Sequence, residues 1–480
     1  MSEGQVWVDE KPTEDYNDSG GLEKQVAFPN IEKLRILGMD NLNMIWHTEF
    51  HSDSFCKLKL LKVEQGNKLL NIFPPNMLRR FQNLEHLGVD YCASLEEVFD
   101  LRSLMSEKES HVVTAFKLKI MYVRNLQKLK KVWNTNPHGI LSFQNLHLVE
   151  AWKCPSLKSL FPASVALGLP QLEELLLLNC GVEEIVAEEE RLGEAPKFVF
   201  PKISSFRLWE LPKLKSFYPG RHTSEWPVLK KIKVYLCNEV PVFDPELQST
   251  QGACTQDQLD LFHKLRVLEL RCFDRASTEF PFGILHRFQN MEKLVVTCGY
   301  LKELFPCQLV DEEEHTLARI RCLKLGYLPD LEKIWNQDLR VDQLLQNLET
   351  LELRTSLKYL VTSSTARSLV QLSVMSIREC NMVTEIVASN GDEAGNEIIF
   401  RKLESLKLDC LASLTSFSSV NFTFRFPRLT EVIVTNCPKM KNFSLGILST
   451  PRLQKVWLSE EKDKGDWKGD LNITIQQLHI

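Results

Sequence analysis

The thirteen cysteines are the side chains of this sequence with the widest chemical range, as nucleophiles, metal ligands or disulfide partners. No C-x-x-C pair occurs among them, so the ligand spacing typical of a zinc site is missing. Their odd number favours free thiols over a complete set of disulfides. The sequence therefore predicts no metal site and no cofactor.

Other catalytic patterns are equally absent from the sequence. It contains no H-E-x-x-H, no G-x-S-x-G and no G-x-x-x-x-G-K-[ST], the motifs of zinc proteases, serine hydrolases and phosphate-binding loops. The eleven histidines are scattered along the chain. We therefore expect a protein that is not an enzyme.

Charge and hydropathy exclude two further classes of function. The formal net charge is −5, and basic residues occur only in short groups such as Lys128–Lys131, which argues against nucleic acid as a partner. No apolar run approaches the roughly 20 residues of a membrane-spanning helix. The first residues, MSEGQVWVDEKPTEDYNDSGG, include no apolar stretch typical of a secretory signal. We expect a cytoplasmic location, with the nucleus as the alternative.

A short apolar pattern repeats along nearly the whole chain. It reads FPNIEKLRILGMDNLNMIW from Phe28 and FQNLEHLGVDYCASLEEVF from Phe81. Counted from the first residue, apolar side chains fall at offsets 3, 6 and 8, then a cysteine or leucine at 11, then apolar residues near 14, 17 and 18. This is a form of the leucine-rich-repeat signature. We place repeat starts at Phe28, Phe55, Phe81, Ala115, Phe143, Leu169, Phe200, Trp226, Phe262, Phe288, Leu317, Leu345, Leu369, Phe400 and Phe426, with an incomplete unit near Thr450.

Each position of the pattern predicts a structural role. Apolar offsets 6 and 8 alternate with polar neighbours, which is the period of a strand with one buried face. The fold class predicted is an α/β leucine-rich-repeat solenoid, a horseshoe with a parallel β-sheet on its concave face and irregular turns or short helices on its convex face. Strands should centre near Leu87, Val149, Leu175, Phe206, Leu268, Leu351 and Leu406, and Leu84, Leu87 and Val89 should be buried.

The remaining positions should fill the turns and the convex side. At offset 11 a buried thiol would fill the turn and donate weakly to neighbouring carbonyls, which is expected of Cys92, Cys154, Cys180, Cys237, Cys380 and Cys437. Aliphatic and aromatic pairs near offsets 17 and 18 should close the convex side: Ile45–Trp46, Val132–Trp133, Leu160–Phe161 and Ile334–Trp335. Prolines that follow such pairs are expected to discourage long helices: Pro74, Pro162, Pro219 and Pro306.

A second, longer period is superimposed on the short one. Repeat starts at 115, 143, 169, 200 and 226 recur at 317, 345, 369, 400 and 426, which are offsets of 200 to 202 residues. We infer that a block of five repeats was duplicated. The predicted organisation is an acidic, disordered segment at 1–27, a solenoid of about sixteen repeats at 28–460 and a tail at 461–480. The acidic inserts Glu183–Glu194 and Asp311–Glu314 are interpreted as solvated loops rather than partner contacts.

Side chains at offsets 5, 7, 9 and 10 of each repeat should point away from the core and form the recognition surface. Tyrosine, tryptophan and arginine dominate binding hot spots because they combine a large contact area with polar groups. At these offsets the candidates for protein binding are Tyr91, Tyr122, Trp152, Trp209, Tyr235, Arg271, Tyr327, Arg354 and Trp457. A second interpretation stays open, in which the rings only pack on neighbouring side chains and shield the sheet.

The sequence resembles the C-terminal leucine-rich-repeat region of plant coiled-coil nucleotide-binding disease resistance proteins, over nearly its whole length. Three segments carry the resemblance most specifically: SLFPASVALGLPQLEELLLLNCGVEEIVAEEE at Ser159–Glu190, its counterpart SLVQLSVMSIRECNMVTEIVASNGDEAGNEIIF, and the ending WLSEEKDKGDWKGDLNITIQQLHI. The resemblance implies a module of an intracellular immune receptor. Its protein partner would be a pathogen effector, a guarded host protein or the nucleotide-binding domain of a resistance protein.

The sequence departs from that family in two respects, one of which is that no coiled-coil heptads precede the repeats. It also lacks the phosphate-binding loop, whose backbone amides and lysine would hold a nucleotide, so nucleotide hydrolysis is not carried over. A generic repeat scaffold or adaptor, such as a substrate-recruiting subunit, is the alternative function.

Overall fold

The structure is a computed structural model of the 480-residue chain. It describes residues 5–8, 13–14, 26–46, 53–101, 114–134, 141–189, 195–237, 264–271, 290–298, 303–305, 320–328, 331, 333–335, 345–355, 357, 359–389, 397–459 and 461–477. Several features expected from the sequence lie outside these residues, namely the repeat starts Phe262, Phe288 and Leu317, Pro306, the insert Asp311–Glu314 and residues 190–194 of the first insert. The chain forms two compact units, Met1–Phe262 and His263–Ile480, called unit 1 and unit 2 below.

The main sheet of unit 1 is built from one strand of each repeat. Its strands are β1 Gln5–Val8, β2 Lys33–Leu37, β3 Leu60–Glu64, β4 His86–Asp90, β5 Ile120–Arg124, β6 Leu148–Trp152, β7 Glu174–Leu178, β8 Ser205–Leu211 and β9 Lys231–Cys237. Neighbours from β2 to β9 pair in parallel, each with the strand of the next repeat. Strand β1 is antiparallel to β2.

Unit 2 repeats the arrangement. Its main sheet contains β10 Val267–Arg271, β11 Lys293–Thr297, β12 Cys322–Leu328, β13 Thr350–Thr355, β14 Val374–Arg378, β15 Ser405–Asp409, β16 Glu431–Thr435, β17 Val456–Trp457 and β18 Gly465–Asp466. Strands β10 to β17 are parallel, and β18 is antiparallel to β17. Each unit is a leucine-rich-repeat solenoid, and the predicted fold class is confirmed.

The buried face of each sheet is the face that the period of two predicts. Leu84, Leu87 and Val89 are each at most 1% exposed, while their neighbours on β4 are half-buried. All seven predicted strand centres lie within observed strands. The strands form because each repeat can bury offsets 3, 6 and 8 only against the repeats on either side of it.

The side of each unit opposite the main sheet holds short strands as well as turns. Parallel pairs form there between Glu97–Phe99 and Lys131–Trp133, Thr114–Ala115 and Leu141–Ser142, Ser159–Pro162 and Glu184–Ala187, Lys197–Val199 and Thr223–Glu225, Glu303–Phe305 and Lys333–Trp335, and Tyr359–Thr362 and Glu385–Ala388. Glu397–Ile399, Thr423–Arg425 and Leu448–Ser449 form a three-stranded sheet, and Thr13–Glu14 pairs antiparallel with Val26–Ala27. The predicted pairs lie here: Trp46, Val132, Trp133, Leu160 and Phe161 are buried.

The helices are short, as expected, and two of them begin directly after a proline. A 3₁₀ helix, Pro75–Phe81, follows Pro74, and α1, Ala163–Ala166, follows Pro162. The predicted prolines at these two positions thus start helices, because the fixed φ of proline suits the entry to a helix, where no amide donor is needed. The second α-helix, α2 Ser363–Ser368, begins after Thr362, whose hydroxyl accepts from the Thr365 amide.

Elements of the two units recur at the spacing of the long sequence period. Strand β6 corresponds to β13, β7 to β14, β8 to β15 and β9 to β16, and helix α1 at 163 corresponds to α2 at 363. Core positions keep their apolar character, as Leu175 and Leu177 are replaced by Met375 and Ile377, all buried. The five-repeat block therefore builds the same local structure twice.

The turn after each strand contains a buried thiol and a residue with positive φ. All six cysteines expected at offset 11 are buried. Their thiols donate to the carbonyl two residues earlier, as Cys92 does to Asp90 at 3.4 Å. The residue just before the thiol has positive φ, for example 53° at Tyr91 and 52° at Asn179. This left-handed residue turns the chain out of the strand.

Antiparallel strands cover the free edge of β2 in unit 1 and of β17 in unit 2. Gln5–Val8, within the segment expected from the sequence to be disordered, pairs along β2. In the expected tail, β18 pairs with β17, and helix α3, Leu471–Gln477, follows. Asn472 accepts hydrogen bonds from the Phe443 and Ser444 amides at 2.8 and 2.9 Å and donates to the Ser444 carbonyl at 2.9 Å.

The described residues hold neither a membrane-spanning helix nor a metal-binding cluster. None of the helices in that part of the chain is long and apolar enough to cross a membrane. No group of three or more histidine, cysteine, aspartate or glutamate side chains is arranged there to hold a metal ion.

Candidate protein-binding surface

The outward side chains of the main sheet form straight rows, because the parallel strands are in register. In unit 1 the last outward position of β6, β7, β8 and β9 aligns Trp152 with Leu178, Leu178 with Trp209, and Trp209 with Tyr235. We call these four residues the aromatic row. Three of the nine predicted binding residues thus lie in one row on four neighbouring strands.

The rings of the aromatic row are accessible. Trp209 is 46% exposed, and Trp152, Leu178 and Tyr235 are half-buried. The rings of Trp209 and Tyr235 contact each other, with centroids 4.3 Å apart and planes tilted by 46°. A continuous apolar strip on the outward face of the sheet results.

Polar contacts hold the rings in place without covering them. The Trp209 indole donates from Nε1 to Glu210 Oε1 at 3.1 Å, and Asn179 donates to the other oxygen of that carboxylate at 2.8 Å. The Lys153 ammonium lies 4.8 Å from the Trp152 ring centroid. An orientation fixed before binding lowers the entropy lost when a partner docks.

The strip is bordered on β5 by Arg124, which is in register with Trp152. Its guanidinium donates to both oxygens of Glu150, at 2.7 and 2.8 Å, and lies 4.6 Å from the ring centroid of Tyr122, another predicted binding residue. The hydrogen bond to Glu150 raises the pKa of Arg124. This planar, bidentate pair gives the border a fixed shape.

The other predicted binding residues lie apart from the row. Tyr91 follows β4 and is 56% exposed. In unit 2, Arg354 contacts Tyr327, with its guanidinium 4.2 Å from the ring centroid, and also forms an ion pair with Glu379. Trp457 contacts the Lys455 ammonium at 4.3 Å, and Arg271 lies 3.7 Å from the Glu269 carboxylate.

In unit 2, the positions that correspond to the aromatic row carry no aromatic residues. Where the aromatic row has Trp152, Leu178, Trp209 and Tyr235, the duplicated block has Arg354, Arg378, Asp409 and Thr435. Asp409 there accepts from the Thr435 hydroxyl. Because the corresponding strands form with polar residues at these positions, the fold does not need the rings. This favours the recognition interpretation over the shielding one.

Two leucines that lie among the candidate binding residues were not predicted from the sequence. Leu176 and Leu178 are half-buried, outward residues of β7 between the aromatic strands. They were missed because hot-spot statistics favour tyrosine, tryptophan and arginine over leucine. Offsets 7 and 9 of the repeat that starts at Leu169 would have identified both leucines.

The family follows from comparison with known sequences. The sequence profile of the plant disease resistance protein RPS2-like leucine-rich repeats matches residues 30–181 and 243–381, more than half of the chain. The chain belongs to this family. Trp152 and Leu178 of the aromatic row lie within the first segment that matches the RPS2-like repeats. No curated protein matches the chain in a comparison of sequences.

Solved structures similar to the RPS2-like chain include repeat proteins from distant organisms. An internalin from Listeria monocytogenes is 11% identical, with 78% of this chain and 86% of that chain covered and a TM-score of 0.32. A leucine-rich-repeat protein of Leptospira interrogans is 15% identical, with 72% and 89% covered and a TM-score of 0.29. The mouse RP105/MD-1 complex is 12% identical, with 89% and 78% covered and a TM-score of 0.29.

Proposed function

We propose that this RPS2-like repeat chain is a non-enzymatic recognition module of plant immunity, acting in the cytoplasm. Its partner is a protein: a pathogen effector, a host protein guarded by a receptor, or the nucleotide-binding domain of a resistance protein. The aromatic row is the centre of the contact surface. The family membership supports a role in plant immunity, and the exposed aromatic row supports protein binding through this surface.

One contrast between the two units carries the proposal. Equivalent strands of the duplicated block keep their core and lose every apolar residue of the row, from Trp152 and Trp209 in unit 1 to Arg354 and Asp409 in unit 2. Exposed aromatic groups that folding does not require match the clustered tryptophan and tyrosine residues that dominate binding energy at interfaces.

The partner can be identified by proximity labelling with the tagged full chain in infected leaf cells. A variant in which the row carries Trp152→Arg, Leu178→Arg, Trp209→Asp and Tyr235→Thr is the matched control, since unit 2 folds with these residues. We expect an effector, a guarded host protein or a receptor domain to be labelled by the native chain and lost with the control. Equal labelling by both chains contradicts the proposed surface.

Alanine substitutions then measure the contribution of each ring. Against the purified partner, at least one of Trp152→Ala, Trp209→Ala and Tyr235→Ala should weaken binding by about 2 kcal/mol or more, the scale of a hot spot. Met382→Ala, at an exposed apolar side chain of unit 2, is the control and should leave the affinity unchanged. If all three unit 1 substitutions lower the unfolding midpoint and none alters affinity, the rings serve the fold.

A further inference from the structure

Three cations stand beside the aromatic row on the outward face of β8 and β9. Arg207 is in register with Lys233, and Lys231 is the next outward residue on the same strand as Lys233. Neighbouring strands lie about 4.8 Å apart and alternate residues about 7 Å apart, so the three positions form one patch. We call Arg207, Lys231 and Lys233 the basic cluster.

Two members of the basic cluster are not neutralised by the sheet around them. Arg207 and Lys231 are exposed, and their side chains make no hydrogen bond or ion pair with any residue in the described part of the chain. Toward β6, the nearest acid along the row of Arg207 is Glu150 and the nearest acid along the row of Lys231 is Glu174, each two strands away. Glu150 is already occupied by Arg124.

The duplicated block replaces two of the three cations of this cluster. Lys231 and Lys233 correspond to Glu431 and Ile433 in unit 2, where Glu431 forms an ion pair with Lys462 and accepts from the Ser405 hydroxyl. Lys231, Lys233 and the aromatic row therefore occur together in unit 1 and are replaced together at the equivalent positions of unit 2, while Lys407 keeps the positive charge of Arg207. Like the row, the cluster is not needed for the strands to form.

We propose that the surface formed by the aromatic row and the basic cluster binds an acidic protein segment that also carries apolar side chains. This proposal rests on the proposed function and names the chemical class of its partner. The apolar side chains of the segment would cover Trp209 and Tyr235, while its carboxylates would pair with Arg207 and Lys231. Charge complementarity of this kind selects the partner and accelerates its association.

A single-stranded nucleic acid could also use bases on aromatic rings and phosphates on cations. The carboxylates of Glu174 and Glu210 border the same strip. A nucleic acid, which carries a phosphate at every nucleotide, could not avoid them, whereas a protein segment can place its carboxylates only opposite the basic cluster. The whole chain is also acidic, with a formal net charge of −5. The structure therefore favours a protein segment.

The test uses random 12-residue peptides displayed on phage, selected on the full chain. Phage that also bind the variant Arg207→Gln/Lys231→Gln/Lys233→Gln are removed. We expect the enriched peptides to carry aspartate or glutamate within a few residues of an aromatic or leucine. Synthetic versions should bind the native chain in fluorescence anisotropy, at least about tenfold more weakly in 0.5 M salt than in 0.05 M salt.

The control removes three charges from the surface of unit 2, with Lys402→Gln, Lys407→Gln and Arg428→Gln. Affinity for the peptides should fall at least about tenfold in the unit 1 triple variant and stay unchanged in this control. Enriched peptides without an excess of acids, equal loss in both variants, or tighter binding of a 12-nucleotide oligothymidine would overturn the proposal.

The binding of the partner identified by proximity labelling to the two variants distinguishes the two proposals. If the partner is lost when the aromatic row is exchanged but binds the unit 1 triple variant normally, recognition through the row stands and the acidic class is wrong. If the partner binds both variants like the native chain, the proposed surface itself is wrong.

Discussion

At the scale of single residues, the repeat is defined by side chains that the sheet buries completely. Leu87 on β4 is 1% exposed and lies in register between Leu61 and Met121, both fully buried. Leu87 therefore packs between side chains of the two neighbouring repeats. The neighbouring position on the outward face is free to vary, as Gly88 and Tyr122 show for adjacent strands.

Leu87→Ala should lower the free energy of unfolding by about 2–5 kcal/mol, because transfer and cavity terms add at a site that cannot collapse. Urea unfolding followed by circular dichroism measures the change. Leu236→Ala is the control, since Leu236, which comes directly after Tyr235 of the aromatic row, is 41% exposed. An unchanged midpoint for Leu87→Ala contradicts its place in the core.

The turn cysteines should be unreactive in the folded chain. Burial raises the pKa of Cys92 to about 11 and also raises the pKa of Cys380, so little of either thiol is ionised at neutral pH. The hydrogen bond with Cys154 lowers the pKa of Cys180, which is therefore protected by its burial alone. Iodoacetamide labelling with peptide mapping should modify Cys92, Cys180 and Cys380 only after unfolding. Cys56 and Cys298, which are half-buried, are the internal comparison. Rapid labelling of the first three would show that the turns are open.

Raised thiol pKa values also predict a loss of stability in alkali. Burial raises the pKa of Cys237 to about 12 from an ordinary value of 9.0. Such a thiol contributes its full stability below the unfolded pKa and loses it as the pH rises toward the folded pKa. The free energy of unfolding should therefore fall from about pH 9 upward. In Cys237→Ala, urea unfolding should show a shallower fall over the same pH range, and identical slopes in the two proteins contradict the assignment.

At this scale the buried side chains could be predicted from the sequence, because the period of two alone decides which face is buried. The backbone conformation of the turn could not. Burial of Leu84, Leu87 and Val89 follows from a period of two with one apolar face. The positive φ just before the turn thiol was not foreseen, because residues as different as Tyr91 and Asn179 adopt it. Tertiary pairing with the next repeat, rather than local preference, imposes this conformation.

At the scale of elements, the main-sheet strands could be placed from the sequence and the short strands opposite them could not. A main-sheet strand buries two residues of a fixed pattern, whereas Glu97–Phe99 and Lys131–Trp133 are three residues long and are defined by their pairing. Helix α1 agrees with the short helical pieces expected on this side, but its bounds, Ala163–Ala166, could not be predicted from the sequence.

Asn472 on α3 should be important for the stability of unit 2. Its amide makes three hydrogen bonds to the backbone of Phe443 and Ser444, both buried. Asn472→Ala would leave these backbone groups without partners, so the free energy of unfolding should fall by about 1–3 kcal/mol. Thermal unfolding measures it, with Asn421→Ala at an exposed position as the control. Equal midpoints for the two variants would show that water replaces the amide.

At the scale of the whole molecule, we propose that the duplication separates what folding needs from what recognition uses. Both units keep the buried rows, while the outward rows differ in chemistry: aromatic and basic in unit 1, polar and paired in unit 2. The repeat and the aromatic candidates could be predicted from the sequence. The alignment of Trp152, Leu178, Trp209 and Tyr235 into one row required the register of the strands.

The central claim is that the aromatic row is dispensable for folding and required for recognition. The most direct measurement is the affinity of the purified partner, by calorimetry, for the variant Trp152→Arg/Leu178→Arg/Trp209→Asp/Tyr235→Thr, with its unfolding midpoint recorded on the same sample. We predict a midpoint close to that of the native chain and an affinity at least about thirtyfold weaker, the equivalent of a 2 kcal/mol hot spot. A variant that unfolds at a much lower temperature, or that folds normally and binds with native affinity, contradicts the account.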